Sequence, residues 1–185
     1  MNLTEQAANA ADTDLTITSA LAPPAPPERA PHFRLTFECR AADGSLRWTE
    51  EARNVVTTQG KVELLERFFR GSSYTAAWFL LLAGTGTKAA SDTLASHAAW
   101  PEINPYAGNR PAIVWNAAAA NGANGRIISN AVAFSITSTA TIAGAGICNV
   151  ASTNSGVLYS VVDFAAPRSL GAGDTLNVTM TVDYT

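Results

Sequence analysis

The sequence predicts a mainly β protein: an antiparallel β-sandwich, jelly-roll-like, with one packed amphipathic helix and an extended N-terminal arm. Three observations carry this. Apolar and polar residues alternate with a period of two in segments spread over residues 33–56 and 126–184. Glycine- and asparagine-rich turn signals separate those segments. Only residues 59–70 carry a convincing helical period. The expected division is a flexible, proline-rich arm over 1–31 and a β-sandwich domain over 32–185.

The arm is polar and alanine-rich, then proline-rich. Leu21-Ala22-Pro23-Pro24-Ala25-Pro26-Pro27 has the composition of an extended polyproline strut. Such a segment cannot build a core of its own. It is either a disordered leader or an arm that becomes ordered on a neighbouring subunit. The second reading draws on Thr13–Leu21, where Leu15, Ile17 and Ser19 alternate with Thr16 and Thr18 as in a strand that adds to another sheet's edge. On that reading the anchoring residues are Leu15, Ile17, Leu21, Pro23, Pro24, Pro26 and Pro27.

In the domain, Phe33, Leu35, Phe37 and Cys39 alternate with Arg34, Thr36, Glu38 and Arg40 as a half-buried strand. Asp43-Gly44 signals a hairpin turn, and Leu46 and Trp48 lie on the returning strand, which runs to Val56. Thr57 or Thr58 can cap the helix. Val62, Leu65, Phe68 and Phe69 form its apolar stripe, Glu63 and Arg67 pair four apart, and Gly71 stops it. The stripe is expected to lie on a sheet. Tyr74–Ala83 reads as a buried central strand, Gly84–Lys88 as a flexible loop, Thr93–Ala99 as a short helix ended by Trp100-Pro101, and 111–117 as a strand. Strands follow at 126–135, 140–150, 156–164 and 175–184, which makes eight or nine in all.

Composition narrows the function classes. Hydrophobic residues make up 47% of the 185 and charged residues only 15%, against about 25% charged in an average soluble domain. Either partners cover part of the surface or it is rich in Ser, Thr, Asn and Ala. A net charge of −3 gives no electrostatic case for nucleic acid. No apolar run approaches 18 residues, so no membrane-spanning helix is expected. Met1–Ala22 lacks the basic start and apolar core of a signal peptide. Cys39 and Cys148 sit in apolar runs without metal spacing and read as small buried hydrophobes, which fits a reducing compartment.

Several polar groups resemble a site. Asp92, Ser96 and His97 are the ingredients of a nucleophile triad, but adjacent helical residues diverge by about 100°, and no nucleophile elbow is present. The polar cluster Asp92, Ser96, His97 and Glu102 is therefore read as structural, with Asp92 capping and His97 bridging to Glu102 or Tyr106. Gly84–Lys88 lacks phosphate-loop spacing. Two histidines without a paired spacing make zinc an unsupported reading, and no cofactor is expected. Trp100, Tyr106 and Trp115 either pack in the core or form an aromatic contact for a sugar ring.

Taken together, Asp43-Gly44 with Trp48, Asn54–Gly60, Phe68–Gly71, Trp78-Phe79, Asp92–His97 with Trp100 and Glu102, Tyr106, Arg110-Pro111 and Thr175–Val182 stand in an order that resembles a family of small virion proteins of tailed bacteriophages and prophages. The likeness runs from about Phe33 to Tyr184. It departs at Leu81-Leu82-Ala83, where the family tends to Gly-Leu, and the arm has no counterpart. The resemblance implies a non-enzymatic structural protein of the particle, assembled in the host cytoplasm, with other virion proteins as partners (the major capsid protein or tail proteins) and a symmetric homo-oligomer. The leading expectation is a capsid decoration or cement protein whose arm binds neighbouring subunits. The alternatives are a tail or tail-fibre component docked through the arm and, in another class, a glycan-binding module.

Overall fold

The computed structural model describes residues 31–74 and 76–184. The arm residues named above lie outside them. Nine strands and one helix occur in the described residues: β1 (Pro31–Arg40), β2 (Leu46–Val56), α1 (Thr58–Phe68), β3 (Phe79–Ala83), β4 (Ala119–Asn121), β5 (Asn124–Ile128), β6 (Val132–Ser135), β7 (Ala140–Cys148), β8 (Leu158–Leu170) and β9 (Thr175–Tyr184). The fold is mainly β and every strand pairing is antiparallel.

The hydrogen-bonded order is β3-β7-β8-β2-β1-β9-β5-β4, with β6 also on β9. Strand β2 joins two layers. It pairs with β1 as far as Arg53 and with β8 over Asn54–Val56. The layers fold face to face, so that Phe37 of β1 meets Phe164 of β8 edge-on with ring centroids 4.6 Å apart. The inward residues of β1 (Phe33, Leu35, Phe37, Cys39) and β9 (Leu176, Val178, Met180) share this core with Leu80, Leu82, Ile147 and Val162 of the other layer. Alternation is thus the burial code of the first layer.

Strand β3 reads as one apolar run because both its faces are covered. Leu80 and Leu82 face the interlayer core, while Leu81 and Ala83 face a second cluster with Leu94, Trp100, Cys148, Leu158 and Val161. Residues 84–105 drape over that outer face and supply Leu94 and Trp100. Both cysteines are buried and free. Burial, then the Asp174 carboxylate beside it, pushes the Cys39 thiol up to about 11.

Four expectations are corrected. Tyr74–Ala83 is a strand only from Phe79. Residues 111–117 make single bridges, Ala112 to Phe79 and Trp115 to Ser129, because Pro111 and Val114 lie between separate neighbours. The 126–135 run breaks into β5 and β6, with Ser129 turning its N–H to Met180. Residues 93–99 form turns rather than a helix, since Asp92, Thr93 and His97 bind local backbone or Trp100.

Helix α1 begins where expected: Thr57 is buried and its hydroxyl accepts the N–H of Gly60 at 2.9 Å. The same hydroxyl donates to the carbonyl of Leu158. Gly60 is required by close approach, because a Cβ there would stand 2.2 Å from the Tyr159 carbonyl oxygen. The helix is therefore pinned at its first turn. Beyond that turn its apolar stripe is not laid on a sheet. Val62 is 54% exposed, Leu65 56%, and Phe68 and Phe69 77% each. A 3.6-residue stripe says that one face favours burial, not what covers it.

Two buried carboxylates set the acid limit of the fold. Burial raises Glu50, but Arg168 and the Ala165 N–H more than offset this and hold it low. Burial likewise opposes ionisation of Asp174, yet the Gly171 N–H, Arg47 and the Cys39 thiol hold it below the usual carboxylate range. A depressed folded-state pKa contributes stability that is present above the unfolded value and lost as pH falls through the folded one. Denaturation midpoints are expected to hold from pH 7 to 5 and fall below about pH 4. Asp174→Asn should lower the midpoint at pH 7 and flatten the acid slope; an unaltered slope in urea titrations at pH 7, 5 and 3 would contradict this assignment.

Candidate functional site

The exposed stripe of α1 borders an apolar cleft of about 450 Å³ at one end of the sandwich. Phe33, Val182 and Ile127 enter it from one layer, Ile147 and Tyr159 from the other. Trp78 and Trp115 also line it, along with Leu64, Arg67 and Phe68 of the helix. The aromatic side chains brace one another. Phe33 and Trp78 contact the Tyr159 ring at 5.4 and 5.3 Å, and Trp78 donates its indole N–H to the Tyr74 hydroxyl at 3.1 Å. Arg67 is fixed by Glu63 at 2.8 Å and lies 5.9 Å over Tyr74. Burial of the Tyr159 phenol, with Tyr74 nearby, raises its pKa.

A second hollow of about 330 Å³ adjoins the first and shares Phe33. It is polar and basic, with Arg34, Arg53 and Arg126 on its wall. Arg126 is paired with Asp183 at 2.6 Å and Arg34 lies 4.0 Å from Glu51. Arg53 has no ion pair among the described residues. Asn54 accepts the Phe33 N–H at 3.0 Å, while its own buried amide nitrogen has no hydrogen-bond partner among the described residues. A mutually braced aromatic cleft beside a basic hollow can seat apolar side chains next to a carboxylate. Burying an exposed apolar side chain of this size stabilises by about 1.5–3 kcal/mol.

The polar cluster of the sequence is distributed differently. Asp92 accepts the Ala89 N–H and the Trp100 indole N–H, each at 2.8 Å. His97 stacks on Trp100 (ring centroids 4.0 Å, planes 17° apart) and its Nδ1 bonds the Trp100 carbonyl at 2.9 Å. So the bridge of His97 runs to Trp100, in place of Glu102 or Tyr106. Ser96 is exposed and its N–H closes a turn on Thr93. Glu102 forms a two-point pair with Arg110, at 2.8 and 2.7 Å, and Arg110 also binds the carbonyls of Val150 and Thr153. The Asn154 side-chain oxygen at 3.0 Å completes a nest of five acceptors, which the fork geometry of arginine fits. His97→Ala should cost about 1 kcal/mol, the range of an aromatic contact, and lower the unfolding temperature by about 3 °C. An unchanged calorimetric transition would contradict a packing role.

Trp100 and Tyr106 are buried in different clusters, whereas Trp115 alone of the three lines the cleft. They do not form one platform. Burial, with Glu102 nearby, pushes the Tyr106 phenol up to about 12. Gly84–Lys88, expected to be flexible, is locked by its own lysine: the Lys88 ammonium is buried and donates to the carbonyls of Gly84 (2.8 Å), Gly86 (3.0 Å) and Ala143 (3.4 Å), with Asp163 at 3.0 Å.

Sequence reasoning missed the cleft because its lining comes from eight separate segments. The available signal was the helix, which carries five large apolar residues (Val62, Leu64, Leu65, Phe68 and Phe69) in eight positions, more than one sheet contact absorbs. Among the described residues no helix is long and apolar enough to cross a membrane, and no three His, Cys, Asp or Glu side chains are grouped to hold a metal. Comparison with protein-family models, with curated proteins and with solved structures finds no match in any of the three.

Proposed function

We propose that this chain is a structural protein of a bacteriophage particle, most specifically a decoration or cement protein on the capsid shell. The carrying observation is the exposed apolar face of α1, with Val62, Leu65, Phe68 and Phe69 turned to solvent beside the cleft. Apolar patches of this kind mark surfaces that a partner covers. The low charge content agrees with a surface partly given to contacts. The polar residues that first suggest chemistry are engaged in holding loops: Asp92 and His97 hold Trp100, Glu102 holds Arg110, and Lys88 holds its own loop. The order of sequence motifs that resembles phage virion proteins supplies the particle.

The test is a phage carrying the double variant Leu65→Glu, Phe69→Glu, at exposed stripe positions outside the cleft lining. Both side chains are exposed, so the isolated variant should melt like the parent. Particle incorporation, read by quantitative mass spectrometry of purified virions, should fall at least about tenfold, because two desolvated contacts of 1.5–3 kcal/mol are lost. Undiminished incorporation would overturn the role of this face.

A further inference from the structure

We infer that the apolar cleft is the seat for residues 15–21 of a second copy of this chain, with Asp12 and Asp14 of that copy over the adjoining arginine-lined hollow. The inference deepens the assembly reading above and rests on it only for where the exchange matters.

Four observations converge. The first is pattern: Leu15, Ile17 and Leu21 fall on one side of an extended segment, and two carboxylates, Asp12 and Asp14, stand immediately before them. The acceptor has the same order, an apolar cleft joined through Phe33 to a hollow bearing Arg34, Arg53 and Arg126. The second is charge. Residues 1–30 hold Glu5, Asp12, Asp14 and Glu28 against Arg29, so the whole net charge of −3 resides there and the rest of the chain is balanced. The third is place: β1 starts at Pro31, and Phe33, two residues on, lines both hollows, so the first thirty residues join the domain beside the acceptor.

The fourth decides between the chain's own cleft and a neighbour's. Between Leu21 and Pro31 stand nine residues, four of them Pro23, Pro24, Pro26 and Pro27. A polyproline-type segment of nine spans about 28 Å at 3.1 Å per residue. A spacer of that composition favours delivery of Leu15–Leu21 to an adjacent copy over return to the cleft beside their own Pro31. Reciprocal exchange is a closed, symmetric association.

The experiment uses the full chain in three forms: parent, an arm variant (Ile17→Asp) and an acceptor variant (Leu64→Glu, on the exposed cleft side of the helix). Sedimentation equilibrium at matched concentrations gives the mass, against a 19.3 kDa chain. The parent should exceed one chain and each variant should sediment as one. An equal mixture of the two variants should recover a species of two chains, since one supplies an intact arm and the other an intact cleft. If Leu64→Glu unfolds, Arg53→Glu, on an exposed strand position, replaces it. A monomeric parent, a variant that keeps the parent's mass, or a mixture that stays monomeric would overturn the inference. Because these are purified chains, that result leaves the virion reading to the incorporation test; recovered exchange with no chain in purified virions would overturn the virion reading alone.

Discussion

Lys88→Met is expected to lower the unfolding temperature by about 10 °C, a loss of about 3 kcal/mol. The ammonium is the donor for three backbone carbonyls, from Gly84, Gly86 and Ala143, and methionine supplies none. Each buried acceptor left without a partner costs about 1–3 kcal/mol, and relief of the lysine's own desolvation offsets part of the sum. The ion pair with Asp163 is the smaller contribution: the carboxylate side chain is 48% exposed, so solvent screens it. Asp163→Asn should accordingly cost less than about 1 kcal/mol. Calorimetry on the two variants separates these effects; equal losses would assign the stability to the ion pair instead of the carbonyls.

Gly86→Ala is expected to be as damaging, at about 3 kcal/mol or more. Gly86 has φ +120, a region L-residues rarely adopt, and a Cβ there would lie 1.8 Å from the backbone carbonyl oxygen of Ala99. Backbone cannot rotate aside as a side chain can, so either the 84–88 loop or the 97–100 turn must move. Trp100 rides on that turn, packed with Leu81, Leu94 and Leu158 and held by Asp92 and His97. Loss of Trp100 burial should appear as a red shift of tryptophan emission along with the lower midpoint. A variant with parental emission and midpoint would show that the loop yields freely.

These two positions also show where the sequence is legible. The hairpin of β1 and β2 and the last strand follow from strict alternation, because each has one face on the interlayer core, and residues 175–184 match β9 residue for residue. Thr57 and Gly71 bound the helix through local chemistry, a hydroxyl cap and a positive-φ glycine. Gly84–Lys88 reads as loose because its ordering comes from a lysine folding back onto carbonyls of β7 and its own loop, a long-range contact without periodicity. The same holds for the 93–99 turns, where Asp92 and His97 bind Trp100 more closely than a helix would allow.

The candidate site divides the same way. Its helical rim was visible as surplus apolar residues, although the stripe alone pointed to a sheet beneath it. Its walls were not visible, since Phe33, Trp78, Trp115, Ile127, Tyr159 and Val182 meet only through the layer crossing of β2. Asp92, Ser96 and His97 attract attention by residue type, yet hydrogen-bond partners decide what they do, and those lie in the backbone around Trp100.

The central claim is that the α1 face and its cleft are contact surface in an assembled particle. Hydroxyl-radical footprinting of Leu65 and Phe69, exposed stripe residues outside the cleft lining, in the isolated chain and in purified virions, tests it most directly. The account predicts strong labelling of both side chains in the isolated chain, where they are 56% and 77% exposed, and marked protection of both in the particle. Equal labelling of both side chains in the two states would contradict it.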